Sequence, residues 1–308
     1  MNVKPAIADN IFLRIARKST KFKVTIALTL GAFTVLPLCK STNALHTIPK
    51  EERESLEWFF RAFHQSSSYV LFGTKPMAFL CVQREEFSKS QICQVYNFID
   101  SIYKYYIGNF VELKGWEAWK KYKHLFPSSN FIFFENHDPR KITIFLINKR
   151  EFLKKVEENI DLFRAVLGYR VTSQKILEAC LSSTNLIRET LKDNDALLGI
   201  LLGFGRHNAQ LFSRRHQIEN QTSMKPSNGF ISLEQEHIYI NTKLQSFNEF
   251  ESDDCNQFNL KLPCFIADLE HPETKKLKIA YKKQYKEIIK KYKGNDFLET
   301  TLRQFCNG

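Results

Sequence analysis

The spacing of apolar positions divides the chain into alternating helical and extended stretches. After Pro49, the acidic residues Glu51 and Glu52 stand where a helix N-terminus favours negative charge. Leu56, Phe59, Phe60 and Phe63 then repeat at three and four residues, the spacing of one buried helical face. The serine run Ser66 to Ser68 is expected to end that helix. Residues 69–72 and 77–82 read as short strands joined through Gly73-Thr74-Lys75-Pro76, a turn composition. Residues 87–126 read as mostly helical, with breaks at Gly108 and Gly115. The clearest extended signal follows. Apolar runs over 131–134 and 142–147 flank the turn cluster at 136–140, which predicts a hairpin with a longer loop. Runs this continuous imply strands covered on both faces.

Phe152, Val156, Ile160, Phe163 and Leu167 predict one helix over 151–167, and further helices are expected over 173–182 and 195–215. Residues 220–228 read as a polar loop, and 238–242 and 264–268 as strands. Leu277, Tyr281, Tyr285, Ile288 and Tyr292 place an apolar stripe on a long helix over 273–293, followed by a short one over 296–305. The predicted fold class is α+β: a small, partly antiparallel sheet covered by several helices, in a single domain over 45–308.

Composition narrows the class further. Of 308 residues, 43% are hydrophobic and 25% charged, which excludes a disordered chain. The net charge of +12 is local. Residues 1–23 carry six basic groups against one acidic, and residues 273–293 carry nine lysines against two glutamates. Those two segments account for the whole excess, so the remaining surface is neutral in aggregate and a nucleic-acid partner is disfavoured.

The first of the basic segments precedes Val24 to Leu38, a stretch without charge. A basic region followed by a short apolar region is the pattern of a secretory signal, and it is shorter than the roughly 20 residues of a membrane-spanning helix. Four outcomes are open. Thr42-Asn43-Ala44 places small residues for cleavage after Ala44; residues 24–38 can remain as an inner-membrane anchor; Cys39, in Leu36-Pro37-Leu38-Cys39, can be lipidated; or the stretch is the buried first helix of a cytosolic protein. Residues 1–44 are thus expected to be a signal peptide or anchor, and the protein to be periplasmic, envelope-bound or secreted. Export permits disulfides. Of the seven cysteines, most read as small buried apolar residues; if a disulfide forms, Cys255 and Cys264 are the pair expected to make it. No spacing suits zinc, and neither a metal nor a cofactor is expected.

Two stretches are unusual enough to form a site. Residues 195–215 hold Gly199, Gly203 and Gly205 inside an expected helix, where each glycine costs about 1 kcal/mol relative to alanine. Close backbone packing would offset that cost, and so would a ligand in a glycine groove lined by Arg206, His207 and Asn208. The second stretch is Leu71 to Met77, where Pro76 fixes the chain after Lys75 and the lysine would present one ammonium at a strand end. The phrases L-F-G-T-K-P-M (Leu71 to Met77) and L-L-G-F-G-R-H-N-A (Leu201 to Ala209), with Ile144 to Lys149 between them, resemble a family of uncharacterised exported proteins from chlamydia-like intracellular bacteria. The resemblance covers a small part of the chain. It implies exported bacterial origin and transfers no catalytic residue.

Familiar catalytic signatures are missing. There is no G-x-S-x-G, no H-E-x-x-H, and the glycine stretch lacks the Lys-Ser/Thr of a phosphate loop. The sequence therefore points to a noncatalytic exported or envelope-associated protein that acts through binding. The alternative is an exported enzyme with a polar pocket around Arg206 and Asn208, its catalytic residues unknown. The lysines of 273–293, among them Lys282, Lys283, Lys286 and Lys290, offer a contact with an anionic membrane surface, or serve as a solvated face.

Overall fold

The computed structural model describes residues 44–83, 112–138, 141–224, 231–247 and 260–308. The segment 24–38, Cys39 and Cys255 lie outside the described residues. Helix α1, Lys50–Leu71, buries the expected Leu56, Phe59, Phe60 and Phe63. The serine run does not end it. Ser68 Oγ lies 2.6 Å from His64 Nδ1 one turn back, and Phe72 N donates to the Ser68 carbonyl. A hydroxyl with a partner inside the helix does not compete for its backbone, so residues 69–71 are helical and not a strand.

Strand β1 (Met77–Gln83), β2 (Phe131–His137) and β3 (Lys141–Asn148) form an antiparallel sheet in the order β1-β3-β2. The predicted hairpin is thus β2–β3, and β3 is its centre. Side chains alternate across a strand, and here the alternation serves two cores. Ile142, Ile144 and Leu146 enter one, while Phe145 and Ile147 enter the other.

The first core joins α1 to the helix over 112–122, α2. It is aromatic: Trp119 lies with its ring centroid 5.5 Å from Phe60, 5.2 Å from Phe133 and 5.2 Å from Phe305. Such offset and edge-on pairs add to the gain from burial. The second core is mostly aliphatic, with Phe145, Phe152 and Phe163 among its members, and is roofed by α3 (Lys149–Glu158), α4 (Ile160–Leu167), α5 (Ser173–Ser182) and α6 (Asp195–Leu201). The single helix expected over 151–167 divides at Asn159, whose Nδ2 donates to the Lys155 carbonyl at 2.9 Å.

The remaining elements are α7 (Arg206–Met224), α8 (Ile231–Lys243), a two-stranded antiparallel ribbon of β4 (Leu244–Ser246) and β5 (Ile266–Asp268), α9 (Pro272–Tyr292) and α10 (Phe297–Asn307). Three expectations are corrected here. Residues 238–242 are helical, because α8 packs along α7 through Arg214–Glu236 and His237–Glu219 pairs; tertiary contact overrides the strand preference of Ile238, Tyr239 and Ile240. Residues 220–224 continue α7. The helix expected over 195–215 is interrupted at 202–205. The observed class is α+β. No helix among the described residues is long and apolar enough to cross a membrane.

Candidate functional site

The break between α6 and α7 explains the glycines. Gly203 and Gly205 adopt φ of +78° and +85°, which side chains rarely tolerate, so they form a knuckle and not a groove along a helix. A Cβ on Gly203 would lie 2.5 Å from Tyr281 Oη, 3.3 Å from Lys75 Cγ and 3.5 Å from Pro76 Cδ. Gly199 stays helical and sits at the α6–α7 crossing, where a Cβ would meet that of Ala209 at 2.9 Å. Close packing therefore uses all three glycines. We expect Gly203→Ala to cost about 2 kcal/mol, from the left-handed backbone and the Tyr281 hydroxyl together. A melting temperature equal to wild type would show that the knuckle has room.

The knuckle brings the two unusual stretches into contact. Tyr281 Oη donates to the Gly203 carbonyl at 2.9 Å, and Gly203 rests on Lys75 and Pro76. The third phrase joins them through Asn148, whose N–H donates to the Pro76 carbonyl at 2.9 Å and whose Nδ2 donates to the Val70 carbonyl at 3.2 Å. On the other side, Gln284 of α9 clamps the turn, donating to Thr74 Oγ1 at 2.9 Å. Lys75 is not presented at an open strand end. Its side chain is buried, with the residue 6% exposed, and desolvation pushes its amine down to about 8. Among the described residues no carboxylate pairs with it.

Past the knuckle, Arg206, His207 and Asn208 point to three different tasks. Arg206 makes a bidentate pair with Asp161 at 2.9 and 2.6 Å, and that guanidinium holds the Asp161 carboxyl below its ordinary value. The backbone N–H groups of Arg206 and His207 both donate to the Glu273 carboxylate, at 2.9 and 2.8 Å. A carboxylate there meets the positive end of α7. His207 stacks on His271 with ring centroids 3.6 Å apart, and its Nε2 lies 3.3 Å from Asp268. Desolvation raises the Asp268 carboxyl, but the His207 bond, the Glu270 N–H and nearby positive charge outweigh it and leave it below its ordinary value.

Asn208 is 1% exposed and fully engaged. Its Nδ2 lies 2.9 Å from the Phe204 carbonyl and 3.0 Å from Thr274 Oγ1. Its Oδ1 lies 3.0 Å from the Asp268 N–H and 3.1 Å from Thr274 Oγ1. An amide used this way ties α7, β5 and α9 together and has no donor left for a ligand. Two surface clefts, of about 400 and 630 Å³, lie elsewhere, one beside Leu45, Glu57 and Asp296 and the other between α1 and α2. Neither is lined by Lys75, Arg206, His207 or Asn208. No group of metal-ligating side chains occurs among the described residues. Of the expected disulfide pair only Cys264 is described, and it is exposed.

The lysine face is as expected in outline. Helix α9 buries Thr274, Tyr281, Gln284, Ile288 and Tyr292. Lys282, Lys283, Lys286 and Lys290 are all exposed. The sequence pattern missed one member: Ile279, outside the apolar stripe, is 70% exposed. It also missed Glu273, His271 and Asp268 as partners of the glycine stretch; the signal was His271-Pro272-Glu273, the cap and first turn of a helix. Comparison with protein-family models, with curated proteins and with solved structures finds no match for this chain.

Proposed function

We propose that the protein is an exported or envelope-associated bacterial protein that acts by binding and not by catalysis. The observation that carries the second half is Asn208. An enzyme site beside Arg206 requires a free polar wall, and this amide is spent on Phe204, Asp268 and Thr274, while Arg206 is held by Asp161. Buried polar groups satisfied by one another rigidify a junction, which suits a scaffold. The first half rests on the basic residues of 1–23 followed by the apolar residues 24–38, the pattern of an export signal.

Mass spectrometry of the protein captured from fractionated native cells tests the reading. The expected result is an envelope or exported fraction and a first peptide beginning at Leu45. An intact Met1 in the cytosolic fraction would refute export. A product-forming activity lost in Arg206→Gln, with an unchanged melting temperature, would refute the noncatalytic half.

A further inference from the structure

We propose that the exposed face of α9 docks on an anionic lipid bilayer, with Ile279 as its apolar tip. The proposal rests on the envelope-associated reading and names its partner. At helical spacing, Lys275, Lys276, Lys282 and Lys283 lie three and four residues either side of Ile279, so they surround it on the same face. Lys286 and Lys290 continue that face two and three turns on. From Lys275 to Lys290 the helix rises about 20 Å. These lysines are exposed; Lys275 pairs with Glu270 at 2.7 Å, and Glu287 is exposed at the flank.

The face is fixed outward by what lies beneath it. Tyr281 bonds Gly203, Gln284 clamps Thr74, and Tyr292 meets Thr301 Oγ1 at 2.9 Å. The helix cannot roll to hide Ile279 without breaking all three. The charge pattern also works against the free helix. Lys286 and Lys290 are like-charge neighbours four residues apart, which repel. A solvated face ordinarily mixes signs. A negatively charged surface relieves that repulsion on contact.

Residue type separates lipid from nucleic acid. Residues 273–293 contain nine lysines and no arginine, whereas recognition of base edges favours the bidentate arginine fork. The tyrosines of α9 are buried or half-buried, so none is offered for stacking on bases. An aliphatic tip ringed by long lysines is the arrangement that enters a headgroup layer, since the alkyl stems lie along apolar surface while the ammonium groups stay with phosphate.

The test is sedimentation of the full chain with sucrose-loaded vesicles, either of phosphatidylcholine or of equal parts phosphatidylcholine and phosphatidylglycerol. The basic residues of 1–23 also favour the acidic vesicles, so the lysine face is read as the difference between wild type and the variants below on those vesicles. We expect a preference for the acidic vesicles that disappears at 1 M salt, where the Debye length falls to about 3 Å from about 10 Å at 0.1 M. Lysines near such a surface contribute about fivefold each, so Lys→Gln at 282, 283, 286 and 290 should reduce the preference at least tenfold. Ile279→Ser should weaken binding to acidic vesicles while leaving net charge unchanged. Equal melting temperatures establish that both variants fold. Equal binding to the two vesicles, an unaffected quadruple variant, or tighter binding to duplex DNA than to acidic vesicles would overturn the proposal. Those outcomes leave the export reading standing, because that reading depends on the mature N-terminus and the cell fraction.

Discussion

Between pH 6.5 and 4 the protein should lose about 3 kcal/mol of stability through His64 alone. This histidine is buried in α1, edge-on to Tyr292 and Phe297 at 5.1 Å each. Its Nδ1 is paired with Ser68, and its Nε2 has no hydrogen-bond partner among the described residues. Desolvation, then the positive charge of Arg61, holds the imidazole down to about 4. The unfolded chain therefore takes up a proton near pH 6.5 that the folded chain refuses until about 4. The stabilising contribution is complete above pH 6.5 and is lost as pH falls through that window. Glu112, pushed up to about 6 by burial, works in the opposite sense, so the measurement should be a difference. Denaturant unfolding across this window should show a steep pH dependence in wild type and a shallower one in His64→Leu. Parallel curves would mean that the imidazole reaches solvent.

Lys75→Met should stabilise the protein. The interior favours the neutral amine, so the folded value is about 8 against 10.5 in the unfolded chain. Stability rises as pH climbs from 8 to 10.5, and below pH 8 the full penalty of burying the charge applies. That penalty is about 3 kcal/mol. Methionine matches the apolar stem in shape and removes the ammonium. A gain of about 2 kcal/mol at pH 7 corresponds to a melting temperature raised by roughly 4–8 °C. The difference between wild type and variant should shrink as pH approaches 10.5. A variant that melts lower than wild type would mean that the ammonium meets an anion and that the pair is worth more than its desolvation.

Both effects arise at positions whose type, in the sequence, says little about burial. His64 follows Phe63 on the apolar side of α1 and is visible as part of a helix, but nothing in its spacing states that both ring nitrogens are shut from water. Lys75 sits in Gly73-Thr74-Lys75-Pro76, a composition that ordinarily means a solvated turn. Its burial comes from residues more than a hundred positions away, Gly203 and Tyr281.

What the sequence by itself determined follows from local periodicity. The aromatic face of α1, the β2–β3 hairpin, the stripe of α9 and the exposure of its lysines all rest on spacing within one element, and spacing of three, four or two residues decides which side is apolar. The α+β class follows from the same patterns. The tertiary structure decided the rest because long-range partners choose between local alternatives. Hydroxyl and ring contacts kept α1 helical through its serines. Pairing with α7 made a helix of the β-branched run at 238–242. Lys75 and Tyr281, arriving from distant segments, turned a string of glycines from an expected helix into a left-handed knuckle. They did so because only a residue without a Cβ lets three elements meet at that distance.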